Sequence, residues 1–134
     1  MPPDESFTAP AMLLVISQHP AFATSDLSSL RMIVCGGAPV PEPLLHLYAK
    51  RGVPVNQGYG LTETAPMATF LTSEWGASKV GSAGQPGFFV DVELVDANGK
   101  FLTEPMARGE VVIRGPNVMK GYWNKPEATA AAID

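Results

Sequence analysis

Apolar and polar positions change rhythm along this chain. Pro10-Ala11-Met12-Leu13-Leu14-Val15-Ile16-Ser17-Gln18-His19 is a dense apolar run with Pro10 at its start and Pro20 just beyond it. Proline suits the first turn of a helix, where its missing N–H has no intrahelical partner anyway, and it stops a helix further on. The run therefore predicts a helix. Arg31-Met32-Ile33-Val34-Cys35 is a short apolar stretch closed by Gly36-Gly37, which predicts a buried strand. Pro41 or Pro43 opens a second helix with Leu44, Leu45, Leu47 and Tyr48 on its apolar face and Gly52 past its end. Val53-Pro54-Val55-Asn56 follows as a short strand. Helix, strand, helix, strand at this spacing predicts an α/β layer with parallel pairing: a partial open sheet flanked by helices.

The pattern changes after about Trp75. Gly81, Gly84, Pro86 and Gly87 make a breaker-rich link. From Phe88 to Asp96 the chain alternates, with Phe88, Val90, Val92 and Leu94 on one face and Asp91, Glu93 and Val95 on the other. Ala97-Asn98-Gly99 reads as a turn, because Asn-Gly tolerates positive φ. Glu110-Val111-Val112-Ile113-Arg114 is a second alternating strand. This half predicts the start of a small barrel or curled sheet. The boundary is expected between Glu74 and Pro86, dividing the chain into an α/β part over 1–78 and a β-barrel-like part over 79–134.

Composition narrows the picture. Hydrophobic residues make up 46% of the 134 positions and charged residues only 16%, against about 25% charged in a typical globular domain. A surface so poor in charge is expected to be covered in part by other segments of a longer chain, or to self-associate when bare. The net charge of -4 and the lack of a basic cluster argue against nucleic acid. Cys35 is the single cysteine, so no internal disulfide is expected and a reducing, cytoplasmic setting is. No apolar run is long enough for a spanning helix, and Met1-Pro2-Pro3-Asp4-Glu5-Ser6 lacks the features of a signal peptide. Pro126 to Asp134 reads as a helix barely begun, as at a cut in a longer chain.

The chemistry concentrates in Asn56-Gln57-Gly58-Tyr59-Gly60-Leu61-Thr62-Glu63-Thr64. Gly58 and Gly60 let backbone approach a ligand closely and leave the Tyr59 ring exposed. That ring offers a stacking face for a purine, Thr62 a hydroxyl for a phosphate oxygen, and Glu63 a hard carboxylate for Mg²⁺. The plainer alternative is a glycine-rich strand end with a core tyrosine and a helix-capping threonine. Gly36-Gly37-Ala38-Pro39 also follows a strand, and small residues there leave room for a flat base at the sheet's carboxyl edge. It too has a plainer reading, a strand-to-helix turn. Parallel pairing would bring both loops to one edge. His19 reads as a helix C-cap, His46 as structural, Cys35 as a buried non-nucleophile, and Trp75 and Trp123 as packing residues. Gly121-Tyr122-Trp123-Asn124 reads as a surface loop or structural turn.

Four segments carry a resemblance. Ser28-Ser29-Leu30-Arg31 through Gly36-Gly37-Ala38-Pro39-Val40, Gln57 to Glu63, Val80 to Pro86, and Gly109 to Pro116 with Met119 to Thr129 stand in the order and spacing of the adenylate-forming enzymes. The chain resembles that family, and its acyl-CoA synthetases in particular. The resemblance implies that Tyr59 stacks on adenine, and that Gly37, Ala38 and Pro39 line the adenine edge and acyl pocket. It places Gln57 and Gly58 beside that pocket and Gly60 on its acyl side. Thr62 and Glu63 become the catalytic pair, Thr62 at the α-phosphate and Glu63 on Mg²⁺. The implied reaction activates a carboxylic acid with ATP and passes the acyl group to coenzyme A. A luciferase-like or aryl-acid-activating relative with another acceptor is the alternative, and a non-catalytic nucleotide-binding or structural module is a third reading. The family's lysine-bearing phosphate loop is not found here, and its ribose-binding aspartate would follow Asp134, so the chain by itself is expected to be inactive.

Overall fold

A computed structural model describes residues 5–76 and 78–133. The readings placed on Met1–Asp4 and on Asp134 lie outside these. The chain divides into two compact units. One comprises the residues up to Tyr59 together with Thr69–Gln85, and the other Gly60–Ala68 with the residues from Pro86 onward.

The first unit is an α/β layer. β1 (Glu5–Thr8), β2 (Met32–Gly36) and β3 (Val55–Tyr59) run parallel, and β4 (Thr69–Leu71) pairs antiparallel with β3. With Gln85, the first residue of the two-residue strand β5 (Gln85–Pro86), they form one sheet in the order β1-β2-β3-β4-β5. Helices α1 (Pro10–Gln18) and α2 (Glu42–Lys50) connect the parallel strands, each with proline in its first turn. Leu13, Phe22, Ile33, Cys35, Val40, Leu44, Tyr48, Val53 and Val55 make the core. Burial of a leucine such as Leu13 (1% exposed) contributes about 2–3 kcal/mol. The Tyr48 hydroxyl donates to the Leu13 carbonyl at 2.9 Å, which ties α2 to α1 and satisfies a polar atom inside the apolar layer. The Phe22 ring packs against Tyr48 at 5.1 Å between centroids. The Arg51 guanidinium lies 5.5 Å from the Phe22 ring and donates to the carbonyls of Ala23 and Ser25.

The predicted helices and their intervening strands are present. Three strands escaped the pattern: β1, β4 and β5 are two to four residues long. In β1 only Thr8 is buried and Phe7 is exposed, so no alternation marks it. α1 is apolar nearly all round, yet only Pro10 and Leu13 are buried; Met12, Leu14, Val15 and Ile16 are exposed.

The second unit contains an antiparallel pair, β6 (Asp91–Val95) and β7 (Glu110–Arg114). Register places Asp91 opposite Arg114, and their side chains form an exposed ion pair at 3.2 Å. The turn after β6 is held by the Asp96 carboxylate, which accepts from the N–H groups of Asn98 and Lys100, and Gly99 supplies φ +77°. Helix α4 (Pro126–Ala132) follows. The tryptophans are not packing residues: Trp75, in the one-turn helix α3 (Ser73–Gly76), and Trp123, in a turn, are 53% and 89% exposed. Such short outer elements bury little, whatever the size of the side chain.

Candidate active site

In the first unit the candidate residues stand at the carboxyl ends of β2 and β3. Register pairs Cys35 with Gln57 and Gly36 with Gly58, so the two strands end level. A Cβ on Gly36 would lie 3.0 Å from the Gly58 carbonyl oxygen, so bare glycine lets these strand ends approach. Gly37 takes φ +84°, a conformation that disfavours L side chains, and the space where its Cβ would stand is open. Ala38 and Pro39 are exposed and Val40 returns to the core. The Val40 N–H donates to Gln57 Oε1 at 3.3 Å, so Gln57 fastens this loop to β3. Tyr59 ends β3, half-buried, opposite Thr69 of β4.

In the second unit the candidates form one tight turn. A Cβ on Gly60 would fall 1.6 Å from the Pro66 carbonyl oxygen, so the turn closes only over glycine. Thr64 is its hub. Its hydroxyl accepts from the Leu61 N–H at 2.9 Å and faces the carbonyls of Leu61 and Pro66 at 3.1 and 2.9 Å. Thr62–Thr64 is a 3₁₀ turn, followed by Ala65 at φ +46°. Thr62 is exposed, which leaves its hydroxyl available to a ligand, and Glu63 is half-buried.

A segment far along the chain braces this turn. Asn117 Nδ2 donates to the carbonyls of Thr64 and Met67 at 2.9 and 3.1 Å, and the Met119 N–H donates to the Glu63 carbonyl at 2.8 Å. The Tyr122 hydroxyl donates to Glu63 Oε1. That bond favours the carboxylate and holds Glu63 below the usual carboxylate range, and the same bond raises the Tyr122 phenol. Sequence reasoning did not connect Asn117 and Tyr122 with Glu63. The only signal for Tyr122 was its place in the resembling stretch Met119–Thr129; Asn117 falls between that stretch and Gly109–Pro116 and carried none.

Other candidates fall away from this chemistry. The N–H of His19 caps α1 by donating to the Ile16 carbonyl, while its Nδ1 accepts from the Ala21 N–H. His46 is exposed beside Glu42, at 3.9 Å, away from the site loops. Cys35 is fully buried, and burial pushes its thiol up to about 11, which keeps it protonated and unreactive. Among the described residues no group of three or more His, Cys, Asp or Glu gathers as a metal cage. Glu63 belongs to no such group among these residues. It fits Mg²⁺ in the manner of nucleotide sites, where one or two carboxylates share the ion with phosphate oxygens and water. Among the same residues no helix is long and apolar enough to cross a membrane.

The family model described as AMP-binding enzyme matches residues 3–123. The chain belongs to this family. The match spans both units and takes in every candidate residue from Gly37 to Glu63, as well as Asn117 and Tyr122. The chain is 50% identical to a feruloyl-CoA synthase of an Amycolatopsis species over 127 residues, 95% of this chain and 26% of that protein. It superposes on the inhibitor-bound N-terminal domain of FACL13 from Mycobacterium tuberculosis with a TM-score of 0.89 and 41% identity, covering 97% of this chain and 32% of that one. A TM-score of 0.83 and 34% identity relate it to the O-succinylbenzoate coenzyme A synthetase MenE of Bacillus subtilis in complex with ATP and magnesium ion, over 97% of this chain and 26% of that one. The chain thus spans about a quarter of the length of the curated relatives it matches.

Proposed function

We propose that this chain carries adenylate-binding residues of an ATP-dependent acyl-CoA synthetase. In the reading, a substrate carboxylate oxygen attacks the α-phosphorus of ATP. A new O–P bond forms and pyrophosphate leaves with the electrons of the broken P–O bond. The thiol of coenzyme A then attacks the acyl carbonyl and AMP departs. Tyr59 stacks on adenine, and Gly37, Ala38 and Pro39 border the base and the acyl group. Gln57 holds that loop in place, while Gly58 and Gly60 keep the backbone slim. Thr62 donates its hydroxyl to an α-phosphate oxygen and Glu63 holds Mg²⁺. When bound, Mg²⁺ offsets the charge that gathers on the phosphate oxygens.

The observation that carries this reading is the turn Gly60–Pro66. Thr64 fixes its shape internally, yet it presents the exposed hydroxyl of Thr62 and an ionised carboxylate at Glu63. The reading also implies that this chain by itself has no substantial adenylation activity. Adenylate formation needs the phosphates oriented from several sides, and the chain covers a quarter of its relatives. The acid and the acceptor are narrowed only by kinship: feruloyl-CoA synthase and MenE are similar at 50% and 34% identity. The test is calorimetric titration with a non-hydrolysable acyl-adenylate analogue and Mg²⁺. Binding by the wild-type chain, weakened by about 1–3 kcal/mol in Tyr59→Ala, supports the reading. A folded chain that binds equally well without the ring refutes it.

A further inference from the structure

The contacts of Tyr122 give it a role beyond that of a turn residue. Its backbone N–H donates to Thr129 Oγ1 of α4 at 2.9 Å, and the Thr129 hydroxyl in turn donates to the Lys125 carbonyl at 2.9 Å. Gly121 lets this happen. A Cβ there would lie 2.7 Å from Thr129 Cγ2, and the residue stands at φ +142°. The interval from Gly121 to Thr129 is therefore a tether that holds the main chain of Tyr122 in place.

At its other end that phenol donates to Oε1 of Glu63. Only two positions upstream of Gly121, the Met119 N–H donates to the Glu63 carbonyl at 2.8 Å. One short segment thus grips Glu63 by both its main chain and its carboxylate. Asn117 adds a bridge to the carbonyls of Thr64 and Met67 on either side of the turn's tip. A glutamate on a surface turn ordinarily loses side-chain entropy whenever it binds an ion. Here the carboxylate is oriented beforehand by a neutral donor. The phenol takes part of Oε1, adds no positive charge, and leaves Oε2 outside that bond. Donors of this kind orient metal-binding carboxylates and tune their affinity.

We propose that Tyr122 is the positioning residue of Glu63: it orients the carboxylate toward a divalent cation bound with nucleotide phosphates, and Thr129 tethers Tyr122. The inference rests on the reading of Glu63 as the cation-binding carboxylate.

The test measures Mn²⁺ binding, with and without ATP, by the paramagnetic resonance of free Mn²⁺. The same preparations are titrated with the acyl-adenylate analogue without metal, and folding is checked by circular dichroism. Tyr122→Phe is expected to weaken Mn²⁺ binding about tenfold or more while metal-free analogue binding stays unchanged. Thr129→Val should shift it the same way and Thr129→Ser should restore it. A merely structural tyrosine would alter stability and leave the Mn²⁺ affinity alone. A folded Tyr122→Phe with wild-type affinity overturns the proposal, and so does tighter binding, which would make the phenol a competitor of the cation. Should Tyr122→Phe not fold, Thr129→Val against Thr129→Ser decides by the same criteria. A wild-type chain that binds the analogue but no Mn²⁺, and whose Glu63→Gln variant behaves identically, overturns the role of Glu63 and the inference with it, and leaves the adenine reading standing. If the wild-type chain binds neither, both the function and the inference fall.

Discussion

Replacing Thr64 by valine probes the turn that presents Thr62 and Glu63. The two side chains are nearly the same shape, so the 3% exposed site is filled either way. What is lost is the hydroxyl. The Leu61 N–H loses its acceptor at 2.9 Å, and the carbonyl of Pro66 loses its donor at 2.9 Å. Leaving buried polar groups unpaired costs about 1–3 kcal/mol. Leu61 is 45% exposed, so water compensates in part, and the lower half of that range, about 1–2 kcal/mol, is expected. Thr64→Ser keeps the hydroxyl and loses one methyl group, about 0.8 kcal/mol of apolar burial. Urea unfolding, followed by a probe in the second unit, gives both values from the shift in midpoint at constant slope. Thr64→Val should be the less stable variant. The reasoning fails if serine is as costly as valine, because volume rather than the hydroxyl would then hold the turn.

Three further outcomes follow from the contacts described. Leu13→Ala should destabilise the first unit by about 2–5 kcal/mol, read by urea unfolding, because the side chain is 1% exposed within the core. The Cys35 thiol is raised by burial from 9.0 to about 11, so its stabilising contribution is full below pH 9.0 and lost as the pH rises toward 11; a Cys35→Ala variant should lack that alkaline loss, measured as stability against pH. Glu63 is depressed below 4.5 by the Tyr122 bond, so its contribution is present above that value and lost as the pH falls through the folded pKa. Tyr122→Phe should move the Glu63 titration upward in carboxyl-carbon NMR, and an unmoved titration would show that the bond is not made in solution.

Much of the first unit was legible because punctuation residues carry a local mechanism. Pro10, Pro20, Pro41, Gly36-Gly37 and Gly52 bound elements whether or not tertiary contacts exist. β1 and β4 were not legible, since Glu5-Ser6-Phe7-Thr8 and Thr69-Phe70-Leu71 are too short for a period to emerge. Their strand state is imposed by neighbours: β1 by β2, and β4 by β3. The tryptophans misled because aromatic bulk says what a side chain gains by burial, not whether a layer is there to bury it. At the site, the glycines and the Tyr59, Thr62 and Glu63 trio stood out by composition. Their supports did not. Gln57 reads as a pocket residue until its bond to Val40 is seen. Tyr122 meets Glu63 across 59 positions, a separation that leaves no local trace.

The most direct test of the account is amide chemical-shift mapping of the labelled chain as the acyl-adenylate analogue and Mg²⁺ are added. The account predicts that the shifts cluster at Gly37, Ala38 and Gln57 to Glu63. A second, smaller set should appear at Met119 and Tyr122, and the Tyr59→Ala variant should lose the effects at Gly37 and Ala38. Shifts gathered instead on the exposed apolar face of α1, with the Gln57–Glu63 amides unmoved at saturation, would contradict it.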